Sequence, residues 1–149
     1  MVVVIDEGHE MSEAMLHELR FALNCEMDSV SPFPLILVGQ PELRKLLRLK
    51  KYEATVQRIG MQYHLGGMSK EETSAYIRHH MTVSRTEKPV FAESALGRIF
   101  AASQGLPRVV NQICMQILLD AAARNLEVIE EGDVVRVLTD MDRQRGVTN

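Results

Sequence analysis

The sequence contains no tryptophan, and aromatic residues make up only 5% of it. Its hydrophobic core must therefore be mainly aliphatic, with nine methionines as flexible filler. The two cysteines, Cys25 and Cys114, lack the C-x-x-C spacing of metal or redox sites. They do not suggest a disulfide framework either, so a reducing cytoplasm is the default expectation.

Signals for membranes and for general nucleic-acid binding are also missing. No run of about 18 apolar residues occurs, as a membrane-spanning helix would need. Met1 leads straight into an apolar stretch, without the basic segment that opens a signal peptide. The net charge of −3 gives the chain no overall field that would attract nucleic acid. A length of 149 residues is about one domain's worth of chain.

An apolar run followed by two acids opens the sequence. Val2–Ile5 shows no alternation, which is typical of a strand buried on both faces of a parallel sheet. Asp6 and Glu7 follow directly, where the carboxyl end of such a strand would place them at the ligand-binding edge. Two carboxylates there indicate a magnesium site and a water-activating base. The alternative is a buried strand that ends in a solvated acidic turn.

A second strand is predicted over 35–39, and Gln40 follows it. An amphipathic helix over 13–24, capped by Ser12, and a loop over 25–34 connect the two strands. This β-α-β order predicts parallel strands, so Asp6, Glu7 and Gln40 should share one edge of the sheet. The alternative role of Gln40 is to cap the helix that follows it.

The rest of the chain is mostly helical. Helices are predicted over 41–50 and 51–58, and a weaker strand over 59–65, where apolar and polar residues alternate. Gly66-Gly67 break this pattern and place a domain boundary at residue 66. Further helices are predicted over the ranges 69–82, 92–104, 107–125 and 131–142, the first of them opened by a Ser69–Glu72 capping box.

This order of motifs resembles the second half of an AAA+ ATPase module. More narrowly, it is similar to the ExeA/GspA-like group and to related transposition helper ATPases. The likeness runs from Val2 to about Leu138 and is carried by Val4-Ile5-Asp6-Glu7 with Glu18-Leu19-Arg20, by Leu37-Val38-Gly39-Gln40-Pro41-Glu42-Leu43-Arg44, by Gln57-Arg58-Ile59, by Tyr63-His64-Leu65, by Glu71-Glu72-Thr73-Ser74-Ala75-Tyr76-Ile77, and by Gly105-Leu106-Pro107-Arg108 with Asn111.

The resemblance implies an α/β fold: the C-terminal half of a P-loop AAA+ module, with a partial parallel sheet and helices, followed by an all-α lid. The expected domains are a nucleotide-binding core over 1–66, a lid over 67–142 and a polar tail over 143–149.

The resemblance also implies a role for each of five residues. Asp6 would act on Mg²⁺ through a bound water, as a Walker B aspartate, and Glu7 would be the general base. Gln40 matches sensor 1, which helps to place the attacking water. Arg58 matches the arginine finger that reaches a neighbouring subunit, and Arg108 matches sensor 2 of the lid. A solvated surface arginine remains the alternative for Arg58.

The phosphate-binding loop G-x-x-x-x-G-K-[ST] is missing from the 149 residues. We therefore expect a fragment that is inactive alone, within a parent that uses ATP and Mg²⁺ to assemble into a homo-oligomer and remodel a protein partner. A secretion component and a transposase are both open as that partner, and so is binding of DNA by the basic segment 44–51. Membrane association through segments outside this sequence is open too. The alternative function is a non-enzymatic interaction module derived from an AAA+ lid.

Overall fold

The computed structural model describes residues 1–23, 33–84, 89–144 and 146. The chain divides into two compact units, Met1–Tyr63 and His64–Asn149, where the sequence predicts a boundary at residue 66. Most of the predicted loop over 25–34, together with Cys25, lies outside the described residues.

The first unit is built on a parallel strand pair. Strand β1 (Val3–Ile5) pairs with strand β2 (Leu35–Leu37), with Val3 opposite Leu35 and Ile5 opposite Leu37. Helix α1 (Glu13–Ala22) lies between them in sequence. It begins at Ser12, whose hydroxyl oxygen accepts a hydrogen bond of 3.3 Å from the Met15 N–H. The predicted β-α-β order and parallel pairing are confirmed.

The prediction that the first strand is buried on both faces is wrong. Val3 and Ile5 are half-buried, but Val4 is 59% exposed, and its neighbour Ile36 on β2 is 49% exposed. The described sheet has only two strands, and among the described residues the face that carries Val4 and Ile36 remains exposed. A continuous apolar run shows which side chains of a strand can be buried, but their burial also requires another part of the protein to pack against that face.

The helices after β2 are shorter than the sequence pattern predicts. Helix α2 spans Pro41–Leu47, a 3₁₀ turn spans Lys50–Tyr52, and helix α3 spans Glu53–Val56. The strand predicted over 59–65 is wrong, since these residues form no strand. Met61 and Tyr63 are 86% and 85% exposed. Alternation is not enough to form a strand when no strand edge among the described residues pairs with it.

The second unit is helical. Helix α4 (Lys70–Val83), helix α5 (Glu93–Ser103), helix α6 (Pro107–Ala123) and helix α7 (Glu131–Gln144) begin and end close to their predicted limits. Their shared core is aliphatic, and its most deeply buried members include Ala95, Leu96, Ile99, Val110, Ile117, Ile129 and Val134. Burying one such branched side chain stabilises the fold by roughly 1.5–3 kcal/mol.

Local signals explain why this helical unit was predictable. The capping box is present: the Ser69 hydroxyl oxygen accepts from the Glu72 N–H, and the Glu72 carboxylate accepts from the Ser69 N–H at 2.8 Å. Pro107 occupies the first turn of α6, where its missing N–H costs nothing.

No helix in the described parts of the chain is long and apolar enough to span a membrane.

Candidate active site

The acidic turn lies where β1 ends and is tied to the end of β2. The Val38 N–H donates to the Ile5 carbonyl at 2.8 Å, and the Gly8 N–H donates to the Val38 carbonyl at 2.7 Å. These two bonds continue the contact between the strands beyond their last paired residues. Asp6 and Glu7 lie between the two attachment points, at the carboxyl edge of the sheet, and both are exposed.

Glu7 has an uncommon backbone conformation. Its φ of 53° is left-handed, a region that costs a non-glycine residue about 1–2 kcal/mol. The Asp6 Oδ1 atom accepts a hydrogen bond of 2.8 Å from the Glu7 N–H, which supports this turn. The Glu7 side chain remains 65% exposed. Strained residues that the surrounding structure holds in place cluster at functional sites, so this conformation is consistent with a reactive carboxylate.

Gln40 lies just beyond the carboxyl end of the neighbouring strand, β2. It has an extended backbone, precedes α2 and is exposed. Its side chain makes no hydrogen bond that caps the helix, so the structure does not support the simpler alternative role. Gly39 allows a close approach here: a Cβ atom at this position would lie 3.1 Å from the His9 backbone nitrogen.

His9 is the member of this edge that the sequence interpretation missed. Its side chain is only 11% exposed, and its Nδ1 atom lies 3.3 Å from the backbone nitrogen of Gln40, which donates to it. The same atom lies 3.3 Å from the Glu7 Oε2 atom, and the Nε2 atom lies 3.4 Å from the Glu10 Oε1 atom. Its position two residues after the Asp6-Glu7 pair was the available signal.

The charge at this edge is mainly negative. Asp6, Glu7 and Glu10 come from the turn after β1, and Glu42 comes from the first turn of α2. The pKa of Glu42 is held below its usual range, first by a hydrogen bond from its own backbone N–H and then by Lys45, whose ammonium lies 3.4 Å away. Both causes stabilise the ionised carboxylate.

The donors of this edge suit a magnesium ion that waters and phosphates also coordinate. Within residues 1–23, 33–84 and 89–144, no group of three or more His, Cys, Asp or Glu side chains is placed to hold a metal ion by itself. Mg²⁺ is commonly held by one or two carboxylates, several waters and substrate phosphates. One exposed aspartate beside an exposed glutamate suits that mode.

The two candidate arginines belong to different units of the chain. Arg58 belongs to the first unit, is exposed and follows α3, and its backbone N–H donates to the Thr55 carbonyl at 3.2 Å. Arg108 belongs to the second unit and is the exposed second residue of α6. The turn before it is hydrogen-bonded to the start of the second unit: Gly105 has a φ of 69°, and the Met68 N–H donates to the Gly105 carbonyl at 2.9 Å.

Comparisons with known proteins agree with the motifs. Residues 1–47 match the sequence profile of the AAA domain. The chain is 35% identical over 133 residues to General secretion pathway protein A of Aeromonas hydrophila. This match covers 89% of the chain and 24% of that protein, so the chain spans about a quarter of the curated relative's length.

Solved structures support the fold. The Thermotoga maritima RuvB Holliday junction branch migration motor aligns with a TM-score of 0.72 and 18% identity, over 95% of this chain and 44% of that one. A point mutant of the same motor aligns with a TM-score of 0.70 and 19% identity, over 95% and 45% of the two chains. These findings and the motifs together identify the chain as part of an AAA+ ATPase module similar to the ExeA/GspA-like group.

Proposed function

We propose that this chain supplies the metal- and water-handling edge of an ATP-hydrolysing site. The observation that carries the proposal is the joined edge itself: the Asp6-Glu7 turn is hydrogen-bonded to the end of β2, and Gln40 is hydrogen-bonded to His9. Exposed groups that can hold a metal-bound water, accept a proton and orient water therefore occur together on one short stretch of surface.

Each group has a defined task in the proposed reaction. Mg²⁺ bound with ATP would neutralise charge on the phosphates. The Asp6 carboxylate would hold the ion through a water molecule, and the Glu7 carboxylate accepts the proton of the water that attacks the γ-phosphorus. The bond from that phosphorus to the β,γ-bridging oxygen breaks, and ADP leaves. The Gln40 side-chain amide orients the attacking water.

The arginines extend the proposal to an assembly. Arg58 serves as the arginine finger for the nucleotide of a neighbouring copy, and Arg108 serves as sensor 2 on the helical lid. The guanidinium group suits both tasks because its planar set of donors matches phosphate oxygens. The parent protein accordingly works as a homo-oligomer that couples hydrolysis to remodelling of a protein partner.

The phosphate-binding loop comes, in this proposal, from sequence outside the 149 residues, and the chain alone is inactive. A calorimetric titration of the 149-residue chain with Mg-ATP should show no micromolar binding. Binding in that range, weakened by Asp6→Asn but not by Glu18→Gln on the exposed surface of α1, would show that the phosphates are held without such a loop.

A secretion-type setting is the one that the comparisons favour. The curated relative is named for the general secretion pathway and is 35% identical, whereas the branch-migration motor is alike only in fold. The parent is then expected in the cytoplasm, with membrane association through segments outside this chain. Its neighbouring genes should encode secretion components, whereas an adjacent transposase gene would favour the transposition setting.

The non-enzymatic alternative rests on the absence of a phosphate-binding loop from these residues. The reading frame upstream of Met1 separates the two functions. An in-frame G-x-x-x-x-G-K-[ST] loop supports the ATPase. A stop codon with no such loop before it supports an interaction module that retains the lid.

A further inference from the structure

We propose that His9 is a positioning residue that fixes the Gln40 peptide to the acidic turn and leaves the Glu7 carboxylate without a hydrogen bond from the ring. This inference rests on the proposed function, because it assigns His9 a task at the same edge. It begins from one atom: the His9 Nδ1 lies 3.3 Å from the Gln40 nitrogen and 3.3 Å from the Glu7 Oε2.

The two contacts of Nδ1 have opposite requirements. Accepting from the Gln40 N–H needs an unprotonated Nδ1, whereas bonding to the Glu7 carboxylate needs a proton there. A neutral ring with its proton on Nε2 satisfies two partners together. Its Nδ1 accepts from the Gln40 N–H, and its Nε2 proton faces the Glu10 carboxylate, whose Oε1 atom lies 3.4 Å from Nε2. The partners of the two ring nitrogens therefore determine which tautomer His9 adopts.

This arrangement has a consequence for Glu7. Its carboxylate faces an acceptor nitrogen and gains no hydrogen bond from it, so both oxygens remain able to take up a proton from water. The ring is held firmly in this orientation, because its side chain is only 11% exposed. At Gly39 the chain that follows β2 passes close to the His9 backbone: a Cβ atom on residue 39 would lie 3.1 Å from the His9 backbone nitrogen. His9 thus joins the ends of both strands.

Nitrogen NMR on the ¹⁵N-labelled 149-residue chain tests the contact directly. We expect His9 to show a proton-bearing Nε2, an unprotonated Nδ1, and a scalar coupling across the hydrogen bond between Nδ1 and the Gln40 amide nitrogen. A proton on Nδ1, or the absence of that coupling, would overturn the proposal. This measurement does not depend on nucleotide binding.

Matched variants test the consequence for hydrolysis in a protein that contains this chain and a phosphate-binding loop. His9→Ala should lower kcat by about tenfold or more, the scale for losing a partner that orients a functional side chain. The KM for ATP should change by less than about threefold, since phosphate binding is untouched. His9→Asn should recover most of kcat, because its amide oxygen can take the Nδ1 position.

Glu18→Gln is the control: Glu18 is exposed on α1 and belongs neither to the acidic turn nor to the end of β2, so kcat of this variant should stay near that of the wild type. Equal kcat values for His9→Ala and the wild type, or no recovery in a folded His9→Asn protein, would refute the positioning role. A wild-type protein without turnover would refute the proposed function instead, and the NMR coupling would then decide the His9 contact by itself.

Discussion

Replacing Gly105 with alanine should destabilise the helical unit strongly. Gly105 has a φ of 69°, where an alanine costs about 1–2 kcal/mol. The added Cβ would also lie 1.9 Å from the Met68 carbonyl oxygen and 2.7 Å from the Met68 nitrogen. Both obstacles are backbone atoms, so no side-chain rotation relieves the overlap.

The structure allows this cost to be estimated. Ordinary contact begins near 3.4 Å, so the Met68 carbonyl must move by 3.4 − 1.9 = 1.5 Å. That shift breaks the bond of 2.9 Å from the Met68 N–H to the Gly105 carbonyl, a loss of about 1 kcal/mol. With the backbone strain, we expect a destabilisation of about 2–3 kcal/mol. Arg108 follows this turn by three residues, so its placement should suffer as well.

The assay is urea unfolding of the 149-residue chain, followed by far-ultraviolet circular dichroism, which reports mainly on the long helices α4 to α7. Gly132→Ala is the matched control, because Gly132 lies in α7 with nothing within 4 Å of an added Cβ. The control should stabilise the chain by about 0.5 kcal/mol. A Gly105→Ala variant whose free energy of unfolding lies within about 0.5 kcal/mol of the wild type would contradict this prediction.

Three further predictions concern the second unit. Thr73→Val should raise the free energy of unfolding by about 1 kcal/mol in urea titrations, because the Thr73 Oγ1 is buried with no partner among the described residues; a loss would contradict this. Burial raises the pKa of the Cys114 thiol to about 11. In a Cys25→Ser background, iodoacetamide should therefore react at pH 8 at least about 100-fold more slowly than with free cysteine, and comparable rates would contradict burial. The Glu130 N–H, and then Arg124, hold the pKa of Asp133 below its usual range. The stabilisation of the folded chain by ionised Asp133 should be full above about pH 4 and be lost as the pH falls through the lowered pKa. In Asp133→Asn, the free energy of unfolding should therefore lack this pH-dependent contribution, and acid unfolding curves identical to those of the wild type would count against it.

The sequence predicted most where the deciding interactions are local. The start of α4 follows from Ser69 and Glu72, which bond to each other's backbone within one turn. The start of α6 follows from Pro107, and Gly105 marks the turn before it. Such signals act within a few residues, so a single sequence contains them in full.

The failures concern partners that are distant in sequence. Residues 59–65 alternate correctly but form no strand, and the face of β1 that carries Val4 is exposed rather than buried. Pairing and covering layers depend on which other segments approach, and periodicity does not contain that information. His9 was missed for the same reason, since its contact with Gln40 spans 31 positions of sequence.

At the candidate site, the β-α-β pattern was sufficient to predict which strand ends lie side by side. It could not predict the left-handed conformation of Glu7 or the absence of a capping bond from Gln40. Next to these two residues, the Gly8 N–H bonds to the Val38 carbonyl and Gly39 packs against the His9 backbone. These contacts form only when the two ends meet.

The most direct test of the central claim is ATP turnover by this chain extended upstream through a phosphate-binding loop, with and without Glu7→Gln. We expect the substitution to lower kcat by about 100-fold or more, the scale for losing a general base, while Mg-ATP binding is retained. Undiminished turnover in the Glu7→Gln protein would contradict the claim that this edge handles the attacking water.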